Sequence, residues 1–179
     1  MIKKILIGLA VVIVVFIAVV ALQPATYRIT RTATISAPPP DVFGQVNDLH
    51  KFQDWSPWAK LDPDMKQTYE GAPAGAGAAY AWEGNKKVGQ GRMTITASRA
   101  NELVVMKLEF IKPFASTAMT EFTLKPEGNQ TAVTWGMSGE NNFIAKAFCM
   151  FMNMDKMVGG DFERGLAQLK SVVESANKK

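Results

Sequence analysis

The chain predicts an α+β fold: a curved antiparallel sheet of six to seven strands wrapped around one long C-terminal helix. Two short helices follow the first strand, and a transmembrane helix leads the chain. Three patterns carry this expectation. Between Phe143 and about Asn177, apolar or small residues recur at Met154, Val158, Phe162, Gly165/Leu166, Leu169 and Val172/Val173. Steps of three and four place them on one helical stripe. Between Ala78 and Gly139, alternating segments follow one another across short connections, as in a meander of hairpins. Ile5 to Leu22 carries no charge at all.

That leader spans roughly 27 Å as a helix, close to the hydrocarbon thickness of a bilayer. Lys3 and Lys4 precede it and Gln23-Pro24 end it. Val19-Val20-Ala21 would suit a signal-peptide cut, but the apolar run is longer than a signal peptide needs, which favours an uncleaved anchor. The positive-inside rule then puts residues 1–4 in the cytoplasm, 5–22 in the membrane and 23–26 in a linker. Residues 27–177 form one domain beyond it.

Tyr27 to Ser36 alternates, with Tyr27, Ile29, Ala33 and Ile35 on one face, so it reads as a half-buried strand. Arg31 falls on the apolar side, out of pattern. Pro38-Pro39-Pro40 stops the strand, because proline cannot donate to a sheet ladder. Pro40 to Val46 is a short helix with Val42, Phe43 and Val46 inward. Asp48 caps a second, Leu49 to Phe52. Trp55-Ser-Pro-Trp58 makes a rigid aromatic corner, either a plug in the open end of the sheet or the lip of a pocket.

Ala72 to Ala79, rich in Ala and Gly, is a crossing between strands. The following strands are Ala78–Glu83, Val88–Ser98, Glu102–Ile111, Ser116–Lys125 and Thr131–Gly139. Their inward face carries Met93, Ile95, Met106, Leu108, Phe110, Phe122, Leu124, Val133, Trp135 and Met137. Charged and hydroxyl residues take the other face. In the last helix, Ile144 to Met154 is apolar nearly all round, and Gly159-Gly160 marks a kink or a close backbone approach.

Composition excludes several classes. The single cysteine, Cys149, precludes an intramolecular disulfide and sits in an apolar run as a small hydrophobe. Of the net charge of +4, half comes from Lys3 and Lys4, and Lys178-Lys179 lie on a tail, so no nucleic-acid footprint is visible. No metal-ligand spacing, paired carboxylates, nucleophile–base pair or phosphate loop is present, so neither metal nor cofactor is expected. Nothing in the pattern sets an oligomeric state. Inward polar candidates are Tyr80 or Trp82, depending on register, with Ser116, Thr120 and Arg31, and the one histidine, His50, reads as a lip or surface residue.

An apolar concave sheet under one helix binds apolar molecules if it leaves space, and is a plain core if it does not. The expected lining is Trp55, Trp58, Tyr80, Trp82, Met93, Ile95, Met106, Leu108, Phe110, Phe122, Trp135, Met137, Phe151, Met154 and Val158, with no catalytic residue assigned.

The order of elements, together with several motifs, resembles the polyketide cyclase/dehydrase-like (SRPBCC) family of the START-like, helix-grip fold. The motifs are Ile35-Ser-Ala-Pro38 with Val42-Phe43, Trp55-Ser-Pro-Trp58, Gly75-Ala-Gly77 through Tyr80-Ala-Trp82-Glu-Gly84 and Gly89-Gln-Gly-Arg-Met93. They continue in Lys107-Leu-Glu-Phe110 with Pro113-Phe114, Val133-Thr-Trp135 and Gly159-Gly-Asp-Phe-Glu-Arg-Gly-Leu166. The leader resembles that of membrane-anchored bacterial members, which implies the inner membrane with a periplasmic domain. The resemblance implies a pocket for a hydrophobic or lipid-like ligand, and transfers no catalytic residue. The expected function is a membrane-tethered module binding an apolar molecule such as a lipid, quinone or isoprenoid. The alternatives are a small-molecule cyclase or dehydratase and an envelope interaction scaffold with a filled core.

Overall fold

A computed structural model describes residues 2–177, so the tail lysines Lys178 and Lys179 lie outside the described residues. A leading helix, α1 (Ile2–Ala21), precedes strand β1 (Thr26–Ile35) and two short helices, α2 (Pro39–Val46) and α3 (Leu49–Trp55). Six more strands follow: β2 (Lys66–Gly71), β3 (Ala78–Glu83), β4 (Gln90–Arg99), β5 (Leu103–Lys112), β6 (Ser116–Glu127) and β7 (Gln130–Glu140). Helices α4 (Phe143–Cys149) and α5 (Met154–Ala176) end the chain.

The seven strands form one antiparallel sheet in the order β1-β7-β6-β5-β4-β3-β2, so the first strand is carried across to pair with the last. Register shifts between β4 and β5 at Gln90/Gly91 and Ile95/Ala97 bend the sheet, as bulges do. Alternation put the apolar side chains on its inner face. Met93, Ile95, Met106, Phe122, Leu124, Val133, Trp135 and Met137 are buried there, and Leu108 and Phe110 are partly buried beside them. Ion pairs Arg28–Glu121, Arg92–Glu70 and Lys107–Glu109 lie on the outer face.

Helix α5 fills half of the concavity. Leu166, Leu169 and Val173 from its C-terminal half join Val42 and Val46 of α2 and Leu49 and Trp55 of α3 in the core cluster. Trp55 Nε1 donates to the carbonyl of Gln45 at 3.3 Å, tying the two short helices together. The Asp48 side chain accepts from the His50 N–H and caps α3, as the sequence indicates.

Three expectations need correction. The long final helix is two helices, interrupted at residues 150–153. Asn142 caps α4 and Asn153 caps α5, each accepting from an N–H of the first turn, and an N-cap inside an apolar run starts a new helix. Gly159-Gly160 makes no break in α5. Of the two alternatives it is a close approach that Gly159 makes: an added Cβ would fall on the Arg31 guanidinium, while at Gly160 the nearest atom is Arg164 Nη1 at 3.9 Å. Finally, β2 has no counterpart among the strands read from sequence. Its residues, Lys-Gln-Thr-Tyr-Glu-Gly, are mostly polar, and only Tyr69 is partly buried, so an edge strand of this kind carries no alternation to read.

Candidate ligand cavity

Between the N-terminal half of α5 and the sheet lies a cavity of about 280 Å³, which Val158, Asp161 and Phe162 border from the helix side. Its floor is aromatic. Trp135 of β7 stacks on Phe162 of α5 at 4.2 Å with 8° between the planes, and Phe122 tilts against Trp135 at 4.9 Å. Trp135 is locked in place, since its Nε1 donates to Thr120 Oγ1 at 3.0 Å and that hydroxyl donates to the Gly136 carbonyl at 2.7 Å. Thr120 is therefore a satisfied core polar group.

The walls come from neighbouring strands. Met93, Met106, Leu108 and Phe110 project from β4 and β5, and Met137 from β7. Tyr80 and Trp82, two apart on β3, share a face and stack at 5.8 Å. The Trp82 indole lies against Gly91, where a Cβ would come within 2.6 Å of the ring, and its Nε1 donates to the Val88 carbonyl at 3.0 Å. Phe52, Trp58, Val158 and Asp161 close the opposite side.

Eleven of the fifteen sequence-derived lining residues border this cavity: Trp58, Tyr80, Trp82, Met93, Met106, Leu108, Phe110, Phe122, Trp135, Met137 and Val158. Four do not. Trp55 is fully buried behind the floor, edge-on to Phe122 and Trp135, so of the aromatic corner Trp55 is the plug and Trp58 the lip. Ile95 is buried in the packed half of the core. Phe151 and Met154 border a separate open cleft of about 570 Å³ between the linker and the end of α4; Phe151 is exposed in the break at residues 150–153, while Met154 is half-buried against the core.

Sequence reading did not assign Phe52, Gln53, Ser56, Ala59, Met65, Lys87, Val88, Asp161 or Phe162 to the lining. Phe162 was visible on the α5 stripe. Asp161 reads as solvated but receives the Trp58 Nε1–H at 3.3 Å and pairs with Arg164. Met65 sits in a loop, where no periodicity reports direction, and Val88, read as the start of a strand, lies in the turn before β4.

The polar inventory is short. Burial, with a smaller push from Tyr69, raises the Tyr80 hydroxyl to a pKa of about 12, partly offset by the Gln53 side chain beside it. That hydroxyl points at Met65 Sδ, 4.0 Å away. The Gln53 amide is buried beside that hydroxyl. A thioether and an amide do not exchange protons near neutral pH, so this corner holds a polar group instead of moving a proton.

The other candidates lie elsewhere. His50 is exposed and stacks on Tyr69 at 3.7 Å. Ser116 is exposed at the start of β6. Arg31 turns away from the cavity to clasp α5, with Nε on Glu163 at 2.7 Å and the outer nitrogens on the Asp155 carboxylate at 3.0 Å. These bonds raise the guanidinium pKa and lower that of Asp155. The odd arginine of β1 is thus a strand-to-helix clasp. Among the described residues, no three His, Cys, Asp or Glu side chains cluster as metal ligands.

The neutral phenol of Tyr80 is favoured in the folded chain. The corresponding stability is complete below pH 10, where the unfolded phenol stays protonated, and drains away between pH 10 and about 12. Urea midpoints across that range are expected to fall more steeply for the wild type than for Tyr80→Phe. Parallel curves would contradict the assignment.

Comparison with known proteins agrees with this architecture. Residues 26–174 match the family described as polyketide cyclase / dehydrase and lipid transport. Protein CV1439 of Chromobacterium violaceum superposes with a TM-score of 0.55 at 19% identity, over 84% of this chain and 99% of that one. Protein MLL2253 of Mesorhizobium loti gives 0.60 at 16% identity, over 83% and 98%. DynU16, a protein in the dynemicin biosynthetic locus, gives 0.57 at 13% identity, over 83% of this chain and 48% of that one. At these identities the likeness is one of fold. No curated protein matches the chain in sequence. With nearly all of the chain beyond α1 matched and the helix-grip fold in place, the chain belongs to the polyketide cyclase / dehydrase and lipid transport family.

Proposed function

We propose that the chain is a membrane-tethered binding module for an apolar small molecule or lipid that carries one hydrogen-bond acceptor. The observation that carries this reading is the cavity's composition. Methionine, aromatic and aliphatic side chains line most of it. The Tyr80 hydroxyl, neutral at any physiological pH and held only by a long contact to Met65 Sδ, is the donor for a ligand carbonyl or ether oxygen. A volume near the lower end of ordinary ligand pockets suits a ring system or a folded chain end rather than a whole two-chain lipid.

The tether is α1, whose twenty residues include an apolar stretch long enough to cross a bilayer. Lys3 and Lys4 favour a cytoplasmic N-terminus, with the domain on the periplasmic side. Holding the domain at the surface raises its effective concentration toward molecules dissolved in the bilayer.

The test is to extract the full chain in polymer nanodiscs, release it for native mass spectrometry and identify retained small molecules. A discrete added mass that survives delipidation supports the reading. A consistently bare chain overturns it.

A further inference from the structure

The outer surface at one end of the domain carries apolar side chains that the cavity does not use. Ile144 is 72% exposed on α4 and Phe151 77% exposed in the turn after it. Phe148, between them, is exposed as well, and Phe114 is 78% exposed in the loop joining β5 to β6. Exposed clusters of large apolar groups mark contact surfaces, since scattered single residues would not gather on one end.

Strand register places both clusters together with the exit of α1. Thr26 at the start of β1 lies opposite Glu140 at the end of β7, just before α4. Gly139 lies opposite Ala118 near the start of β6, and Ser116 opposite Phe110 near the end of β5. The β5–β6 loop, the start of β1 and the start of α4 therefore occupy one end of the sheet. Lys146 of α4 reaches back to donate to the Ala21 carbonyl at 3.2 Å, and Asn141 N–H donates to the Ala25 carbonyl at 2.7 Å. Where α1 leaves the bilayer, α4 is held against its last turn.

We infer that α4 with its following turn, and the β5–β6 loop, form a second membrane contact in which Ile144, Phe148, Phe151 and Phe114 insert into the lipid surface beside α1. This inference rests on the tethered reading above, because α1 places these side chains at the interface. The bilayer is the occupant favoured over a second copy of the chain. Two separate apolar tips lie at the end of the sheet where α1 joins β1, and the exposed Lys112 beside them suits lipid headgroups. Phe110 and Val88, at this same end of the sheet, border the cavity. Insertion turns that border toward lipid, so an apolar ligand passes from bilayer to cavity with little exposure to water.

The experiment uses the full chain in vesicles of phosphatidylcholine and phosphatidylglycerol, in a Cys149→Ser background. A nitrobenzoxadiazole label is placed through Ile13→Cys in the span, Phe114→Cys and Ile144→Cys at the tips, or Lys125→Cys at the opposite end of the sheet. Phe151→Cys replaces Ile144→Cys if that variant does not fold. Lipids bearing a doxyl quencher high on the acyl chain are expected to quench the tip labels at least about threefold more than the Lys125 label. Quenching at position 13 with tips no more quenched than Lys125 overturns the second contact and leaves the tether standing. Blue-shifted but unquenched tips mean a protein partner covers them, which also overturns it. An unquenched position 13 overturns the tethered reading itself.

Discussion

Gly165→Ala is expected to destabilise the domain by about 2 kcal/mol, although alanine is the better helix former by roughly 1 kcal/mol. A Cβ at this position would sit 2.6 Å from Trp135 Cζ3 and 3.1 Å from Pro57 Cδ. Neither neighbour yields readily. Trp135 is 2% exposed, stacked on Phe162 and bound through Nε1 to Thr120, and Pro57 is a ring within the aromatic corner. Helix α5 would have to rise off the sheet, loosening the cavity floor. The contrast is Gly160→Ala in the same helix, where the nearest atom is Arg164 Nη1 at 3.9 Å. That change is expected to stabilise by up to about 1 kcal/mol through helix propensity alone. Urea unfolding of the two variants, followed by near-ultraviolet circular dichroism, should move their midpoints in opposite directions. Equal midpoints would mean that α5 does not ride on Trp135.

Val158→Trp is expected to lower the retained small molecule at least tenfold, roughly 1.4 kcal/mol of affinity, while leaving stability within about 1 kcal/mol of the wild type. Val158 lies on α5 over the hollow end of the sheet and borders the cavity. An indole there enters space that is already present, so it displaces ligand instead of core atoms. Native mass spectrometry of the nanodisc-extracted chain reads the first quantity and urea unfolding the second. Undiminished retention would place the ligand elsewhere, and the open cleft beside α4 would be the next site to test.

Most of the architecture was legible because it rests on local periodicity. Alternation along β4 to β7 assigned the inner face, and steps of three and four along residues 154–173 assigned the buried stripe of α5. Asp48 at an N-cap and the proline run before α2 located the short helices. The aromatic corner was visible, but its division of labour was not: Trp55 and Trp58 are the same residue type three apart, and only packing makes one a plug and the other a lip.

Some failures have equally local causes. Asn153 starts a helix inside a run of methionine and phenylalanine whose apolar periodicity masks the cap, so Phe151 and Met154 were read as lining a cavity that they do not border. Arg31 looked misplaced on an apolar face, because its partners Asp155 and Glu163 lie more than a hundred residues away. Gly159 makes room for that guanidinium, which explains one half of a glycine pair that sequence could only flag.

By itself the sequence determined which side chains face inward, that the interior is apolar, and that the leading helix is long and uncharged enough to cross a bilayer. The tertiary structure decided that the interior is filled at one end and hollow at the other. The physical reason is that patterning reports the direction of a side chain, whereas a void depends on how far α5 stands above the bent sheet. That separation is set jointly by Trp135, Phe162, Gly165 and the bulges of β4, which meet only after folding.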